Sequence, residues 1–185
     1  MKRKSYILLV VQSLLRTPVH VRALAKELHT SQTTIARVLK QLSKENVVDY
    51  TVDGRNKTFF LKKSLETKQY ILMAENVKLV HTLQIYPRLR GIVESLQKET
   101  RTPLILLFGS YAKETATNES DIDIYVETTN SNLKKELSLI DTKISIKIGR
   151  YNRNSTLMKE IEKNHVILKG VEHYYEINNF FTLTP

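Results

Sequence analysis

The chain has 185 residues, 41% of them hydrophobic, no cysteine and a formal net charge of +10. That length suits one large domain or two small ones. The lack of cysteine excludes disulfides, thiolate zinc sites and a cysteine nucleophile, and it fits a cytoplasmic location; the apolar runs Ile7–Val11 and Leu104–Phe108 fall far short of the roughly 20 residues that span a bilayer.

The charge is unevenly placed. Residues 1–63 carry 13 Lys and Arg against 4 Asp and Glu, residues 64–100 carry 5 against 4, and residues 101–185 carry 11 against 11. A positive block confined to the first third is what a polyanion-binding module needs, because each neutralised phosphate releases counterions. Lys2-Arg3-Lys4 ahead of Ile7–Val11 imitates a signal peptide, but Gln12, Ser13 and Arg16 interrupt the apolar stretch, so that reading is rejected.

The first predicted helix covers residues 4–16, with Ile7, Leu8, Val11, Leu14 and Leu15 on one face. Thr17-Pro18 ends it. A second helix is expected over about residues 21–28, burying Leu24, Ala25 and Leu28, and a third over about residues 32–44, capped by Ser31. In the third, Ile35, Val38, Leu39 and Leu42 form one buried stripe, leaving Gln32, Thr33, Thr34, Arg37 and Lys40 outward, with Lys44 a turn further on. Such a face suits the major groove of double-stranded DNA. Val47–Thr51 and Lys57–Leu61, joined through Asp53-Gly54, read as a hairpin that would carry Arg55 and Lys57. The stretch 4–63 resembles the winged helix-turn-helix family of prokaryotic transcription regulators, most closely in Val21–Leu28 followed by Ser31–Leu39. The resemblance implies DNA binding by Gln32, Thr33, Thr34, Arg37, Lys40, Arg55 and Lys57.

Ser64 is a candidate cap for a helix over about residues 65–83. Its Ile71, Leu72, Val77, Leu79, Val80 and Leu83 exceed what a lone connector can hide. It must pack on a domain or on a second copy, so a homodimer is one expectation. Pro87 starts a further helix to about Glu99. The expected division is a DNA-binding domain at 1–63, a helical connector at 64–100 and a second domain at 101–185.

Pro103–Phe108 reads as a buried strand followed at once by Gly109-Ser110, and Ser120–Val126 as an alternating strand with Asp121 and Asp123 on one face. Two carboxylates so placed repel unless a cation lies between them, and hard oxygen donors select Mg²⁺ or Mn²⁺. Gly109 lets phosphates approach the backbone, and a helix beginning near Ser110 would add its positive end. Strand, Gly-Ser, helix and a strand bearing Asp-x-Asp resemble the DNA polymerase beta-like nucleotidyltransferase superfamily, in its minimal branch, over about residues 85–178. The resemblance implies an α/β (α+β) chain whose second domain has a small mixed sheet. It also implies that Gly109 and Ser110 bind the triphosphate of a nucleoside triphosphate, with Lys113 within reach of a phosphate. Asp121 and Asp123 would be the catalytic metal ligands. The family usually adds a third carboxylate on the next strand. Here that strand, Lys143–Ile148, offers Ser145 or Lys147, and losing a base typically costs about 10²–10⁴-fold in rate.

His165 reads as a packing residue, Tyr111, Tyr174 and Tyr175 as core, and Lys134-Lys135 as a solvated helix face. Two readings follow. One is a DNA-binding transcriptional regulator whose second domain binds nucleotide and metal with weak or lost transfer. The other is an active Mg²⁺-dependent nucleotidyltransferase acting on a protein, RNA or small-molecule hydroxyl, resembling toxin–antitoxin pairs, with a protein partner encoded nearby and the winged helix used for autoregulation. Neither involves a membrane.

Overall fold

The computed structural model describes residues 2–54 and 56–181, and side chains from Tyr6 onward. Its mixed α/β chain falls into two compact units, one formed by Met1–Val77 with Asn178–Pro185 and the other by Lys78–Ile177. Among the described residues no helix is long and apolar enough to cross a membrane.

The first unit holds α1 (Lys2–Arg16), β1 (Val19–His20), α2 (Val21–Glu27), α3 (Gln32–Lys44), β2 (Val48–Asp53) and β3 (Asn56–Leu61). It also takes in the start of α4 (Leu65–Ile85). The strands pair antiparallel in the order β1-β3-β2, so three helices and a hairpin follow one another in the order of a winged helix. His29, at φ +48°, makes the sharp turn out of α2, and Thr30 N–H donates back to Ala25 O at 2.9 Å. Ser31 Oγ then accepts from Thr34 N–H at 3.1 Å, satisfying one of the orphan donors at the start of α3. Ile35, Val38, Leu39 and Leu42 are buried; at roughly 1.5–3 kcal/mol each, these four fix which side of α3 faces out.

Several details differ from the sequence expectation. β1 was not expected: two residues carry no periodicity, and Val19 enters the sheet only through Phe59, forty positions on. On α1, Val10 and Ser13 are buried beside Val11 and Leu14, while Ile7 and Leu8 are only half-buried. The hairpin register sets Asp53 opposite Asn56, with Gly54 at φ +57° in the turn, so Asp53 ends a strand instead of opening the turn. Ser64 does cap α4, accepting from Thr67 N–H at 3.1 Å, and Thr67 Oγ1 donates to Val47 O at 3.0 Å.

The division between units lies inside α4, so the residues expected to connect two domains are shared between them. Ile71 is buried in the first unit, Leu79 and Leu83 pack on the core of the second, and Met73, Val77 and Val80 stay exposed.

The second unit adds α5 (Leu89–Gln97), β4 (Ile105–Phe108), α6 (Gly109–Ala112), β5 (Ile122–Glu127), α7 (Ser131–Ser138), β6 (Ile144–Gly149), α8 (Thr156–Lys163), β7 (Val166–Lys169) and α9 (Val171–Ile177). Its sheet runs β6-β5-β4-β7, with β5 and β6 parallel and the other pairs antiparallel. One face buries Ile105, Leu107, Ile122, Ile124, Val126 and Ile146 against α5 and α7. Alternation then puts Phe108, Asp123, Tyr125 and Ser145 on the other face. The helix expected near Ser110 is a single four-residue turn, because the chain leaves it at Lys113 and Glu114 takes φ +59°; few peptide dipoles are aligned there, which corrects the expected helix-end contribution.

Candidate nucleic-acid interface and candidate nucleotide site

In the first unit a cleft of about 840 Å³ lies between the outer side of α3 and the hairpin, lined by His20, Arg22, Lys40, Lys44, Tyr50 and Lys57 among others, with no acidic side chain among the described residues of its wall. Gln32, Thr33, Arg37 and Lys40 are exposed on α3 as expected. Thr34 is half-buried, and its hydroxyl lies 2.9 Å from Ser31 Oγ in the helix cap, so that side chain is already occupied. Lys57 Nζ sits 4.0 Å from the centroid of the Tyr50 ring, an exposed cation held over an aromatic face. Arg55 lies outside the described residues. Sequence reasoning missed His20, Arg22 and Tyr50. His20 reaches the cleft by pairing β1 with β3, its Nδ1 lying 3.0 Å from Lys57 O; only the pairing of strands distant in sequence reveals this.

In the second unit the end of β4 and the start of β5 bring Gly109 and Asp123 together, since Phe108 pairs with Asp123. Gly109 has φ +68°, and a methyl group there would come within 2.3 Å of Asp123 Oδ2. Glycine is therefore required twice over, by the left-handed backbone and by the carboxylate against it. Ser110 is half-buried, and its hydroxyl makes no hydrogen bond among the described residues. Tyr111 is buried, as expected, and packs edge-on against Tyr86 at 4.8 Å. Tyr86 Oη in turn accepts from Ala116 N–H at 3.2 Å, which steadies the loop after the Gly-Ser turn.

Asp121 is exposed just before β5, and Asp123 is half-buried within it. Burial first, and then the neighbouring Asp121 charge, raise the Asp123 carboxyl above its ordinary range; the Lys147 charge and a hydrogen bond from Ser145 pull the other way. The β5–β6 register sets Asp123 opposite Ser145 and Tyr125 opposite Lys147. Of the two residues expected in place of a third acid, Ser145 thus holds the adjacent position and Lys147 the next one on that face. Two carboxylates whose charges oppose each other fit one divalent ion, which would relieve the repulsion. Among the described residues no group of three or more His, Cys, Asp and Glu could hold a metal. Lys113 Nζ is engaged by Glu160 at 3.2 Å.

The remaining candidates behave as packing groups. His165 is buried beside Tyr174 with Nδ1 3.0 Å from Ile161 O, Tyr174 and Tyr175 are buried, and Lys134 and Lys135 are exposed. His173 has a partner the sequence did not suggest, Glu127 Oε2 at 2.7 Å.

Residues 90–173 match the family model described as "Polymerase beta, Nucleotidyltransferase", a stretch of a little under half the chain that contains the whole Gly109-to-Ser145 site. No curated protein matches this chain. Among solved structures, the adhesin competence repressor (AdcR) from Streptococcus pyogenes is similar at 24% identity, with 52% of this chain and 66% of that one covered and a TM-score of 0.39. The chain thus spans slightly under two thirds of that protein, and a score so low leaves the fold to rest on the elements described above.

Proposed function

We propose that this chain is a DNA-binding transcriptional regulator whose second unit is a nucleotidyltransferase-like domain that binds a nucleoside triphosphate and a divalent cation, with transfer weakened or lost. One observation carries the DNA half: an acid-free basic cleft flanked by the exposed side of α3. Arg37 and Lys40 approach base edges or phosphates from α3, while Lys57, with Arg22 and Lys44, neutralises the backbone alongside. The nucleotide half rests on the juxtaposition of Gly109 and Asp123, within the stretch matching the nucleotidyltransferase model. There the Gly109 and Ser110 backbone would face the phosphates, and Asp121 and Asp123 would hold Mg²⁺ or Mn²⁺, which would supply charge stabilisation to the transfer of a nucleotidyl group.

The hydroxyl of Ser145 beside Asp123 favours weak or lost transfer over an active enzyme, since it cannot take a proton from an acceptor as a carboxylate can. The test pairs two measurements on the full chain. Duplex DNA binding should fall with salt with a log–log slope of about −6, for roughly 6–8 neutralised phosphates. Incubation with labelled ATP, CTP, GTP or UTP and Mg²⁺, alone and with the product of a neighbouring gene, should give little transfer. Rapid labelling that disappears in Asp121→Asn and Asp123→Asn would instead establish the active-enzyme reading. A homodimer, a DNA partner with two half-sites, remains part of this proposal.

A further inference from the structure

The sheet face that carries Asp123 also carries Ser145 and Lys147, because β5 and β6 are parallel and in register from Ile122/Ile144 to Glu127/Gly149. The intervening Ile122, Ile124 and Ile146 are buried on the opposite side, so a one-residue slip that would remove Lys147 from this face is prevented by the core. Lys147 is exposed, and its ammonium acts electrostatically on Asp123.

Three carboxylates with two divalent ions present a net charge of +1 to a polyphosphate. Two carboxylates, one divalent ion and one ammonium give the same +1. Adding a second ion to the residues present would instead leave +3, held by two acids and opposed by the ammonium.

We propose that Lys147 replaces the second ion, so that the site binds a nucleoside polyphosphate with one divalent cation on Asp121 and Asp123 and the Lys147 ammonium on the phosphate oxygens. This rests on the nucleotide-binding reading above. The long flexible stem of a lysine allows the reach, and a compact ammonium is a suitable point charge for phosphate.

The experiment counts bound Mn²⁺ by electron paramagnetic resonance at saturating non-hydrolysable ATP analogue, and measures the affinity of that analogue by calorimetry, on the full chain. The wild type should hold one Mn²⁺ per bound nucleotide. Lys147→Ala should weaken analogue binding at least tenfold while strengthening Mn²⁺ binding without nucleotide, and Lys147→Arg should restore most of the analogue affinity. In Ser145→Asp/Lys147→Ala the count should rise to two. Two Mn²⁺ per chain in the wild type, or analogue affinity unchanged in Lys147→Ala, would overturn the role of Lys147 and leave nucleotide binding standing. No analogue binding at all with Mn²⁺ would overturn both.

Discussion

Arg37→Ala with Lys40→Ala is the sharpest perturbation of the proposed DNA interface. Both side chains are exposed on α3, away from its buried stripe of Ile35, Val38, Leu39 and Leu42, so the fold should be unaffected. If both cations neutralise phosphates, removing them reduces the steepness of the salt dependence by about 0.9 for each, from roughly −6 to roughly −4. The same relation fixes the loss at each salt concentration: about 60-fold at ~0.1 M and only about 5-fold at ~0.4 M, because fewer counterions are at stake as salt rises. The assay is fluorescence anisotropy with a labelled duplex across that range, with Lys134→Ala/Lys135→Ala, exposed in the second unit, as the control for net charge. A loss equal in size at every salt concentration would show base contacts without phosphate neutralisation, and no loss at all would refute the interface.

Three further predictions concern the second unit. Asp123 has its carboxyl raised by burial and by Asp121, so its ionisation opposes folding; that group's contribution is fully present below the ordinary carboxylate range and is lost as pH rises through the raised value. Asp123→Asn should therefore raise the melting temperature at pH 7, with the gain vanishing in acid, while abolishing Mn²⁺ binding. Gly109→Ala should destabilise by at least about 1–2 kcal/mol from the left-handed backbone alone, worth roughly 4–8 °C per kcal/mol in thermal denaturation of a unit this size. Contact with Asp123 Oδ2 should add to that. Glu99 is held at about 2 by hydrogen bonds from Arg101, against an ordinary value of 4.5. Its stabilisation is present above 4.5 and lost as pH falls towards 2. Glu99→Gln should lower stability near neutrality, flatten the acid denaturation profile within that window, and approach the wild type as pH falls towards 2.

Much of this architecture was readable because local chemistry specifies it. The third helix was bounded by Ser31 and its apolar stripe, and it runs over Gln32–Lys44 as expected. Ser64 was recognisable as a cap for the same reason. Gly109 and the paired acids were legible because each residue type answers a local requirement. What escaped depends on pairing between distant segments. β1 exists only by virtue of Phe59 and Thr58, and with it His20 enters the basic cleft. The choice between Ser145 and Lys147 as neighbour of Asp123 is a matter of parallel register, which no periodicity within either strand can set. Lys113 has a plausible reach in sequence, yet Glu160, 47 positions on, engages it.

The central claim is a division of labour within one chain, and amide NMR of the full protein titrated first with duplex DNA and then with Mn²⁺ tests it most directly. DNA should shift amides around His20–Arg22, Gln32–Lys44 and Tyr50–Lys57, and Mn²⁺ should broaden a separate set at Gly109–Ser110, Asp121–Asp123 and Ser145. Broadening by Mn²⁺ on α3, or DNA shifts centred on Gly109 to Asp123, would contradict the account.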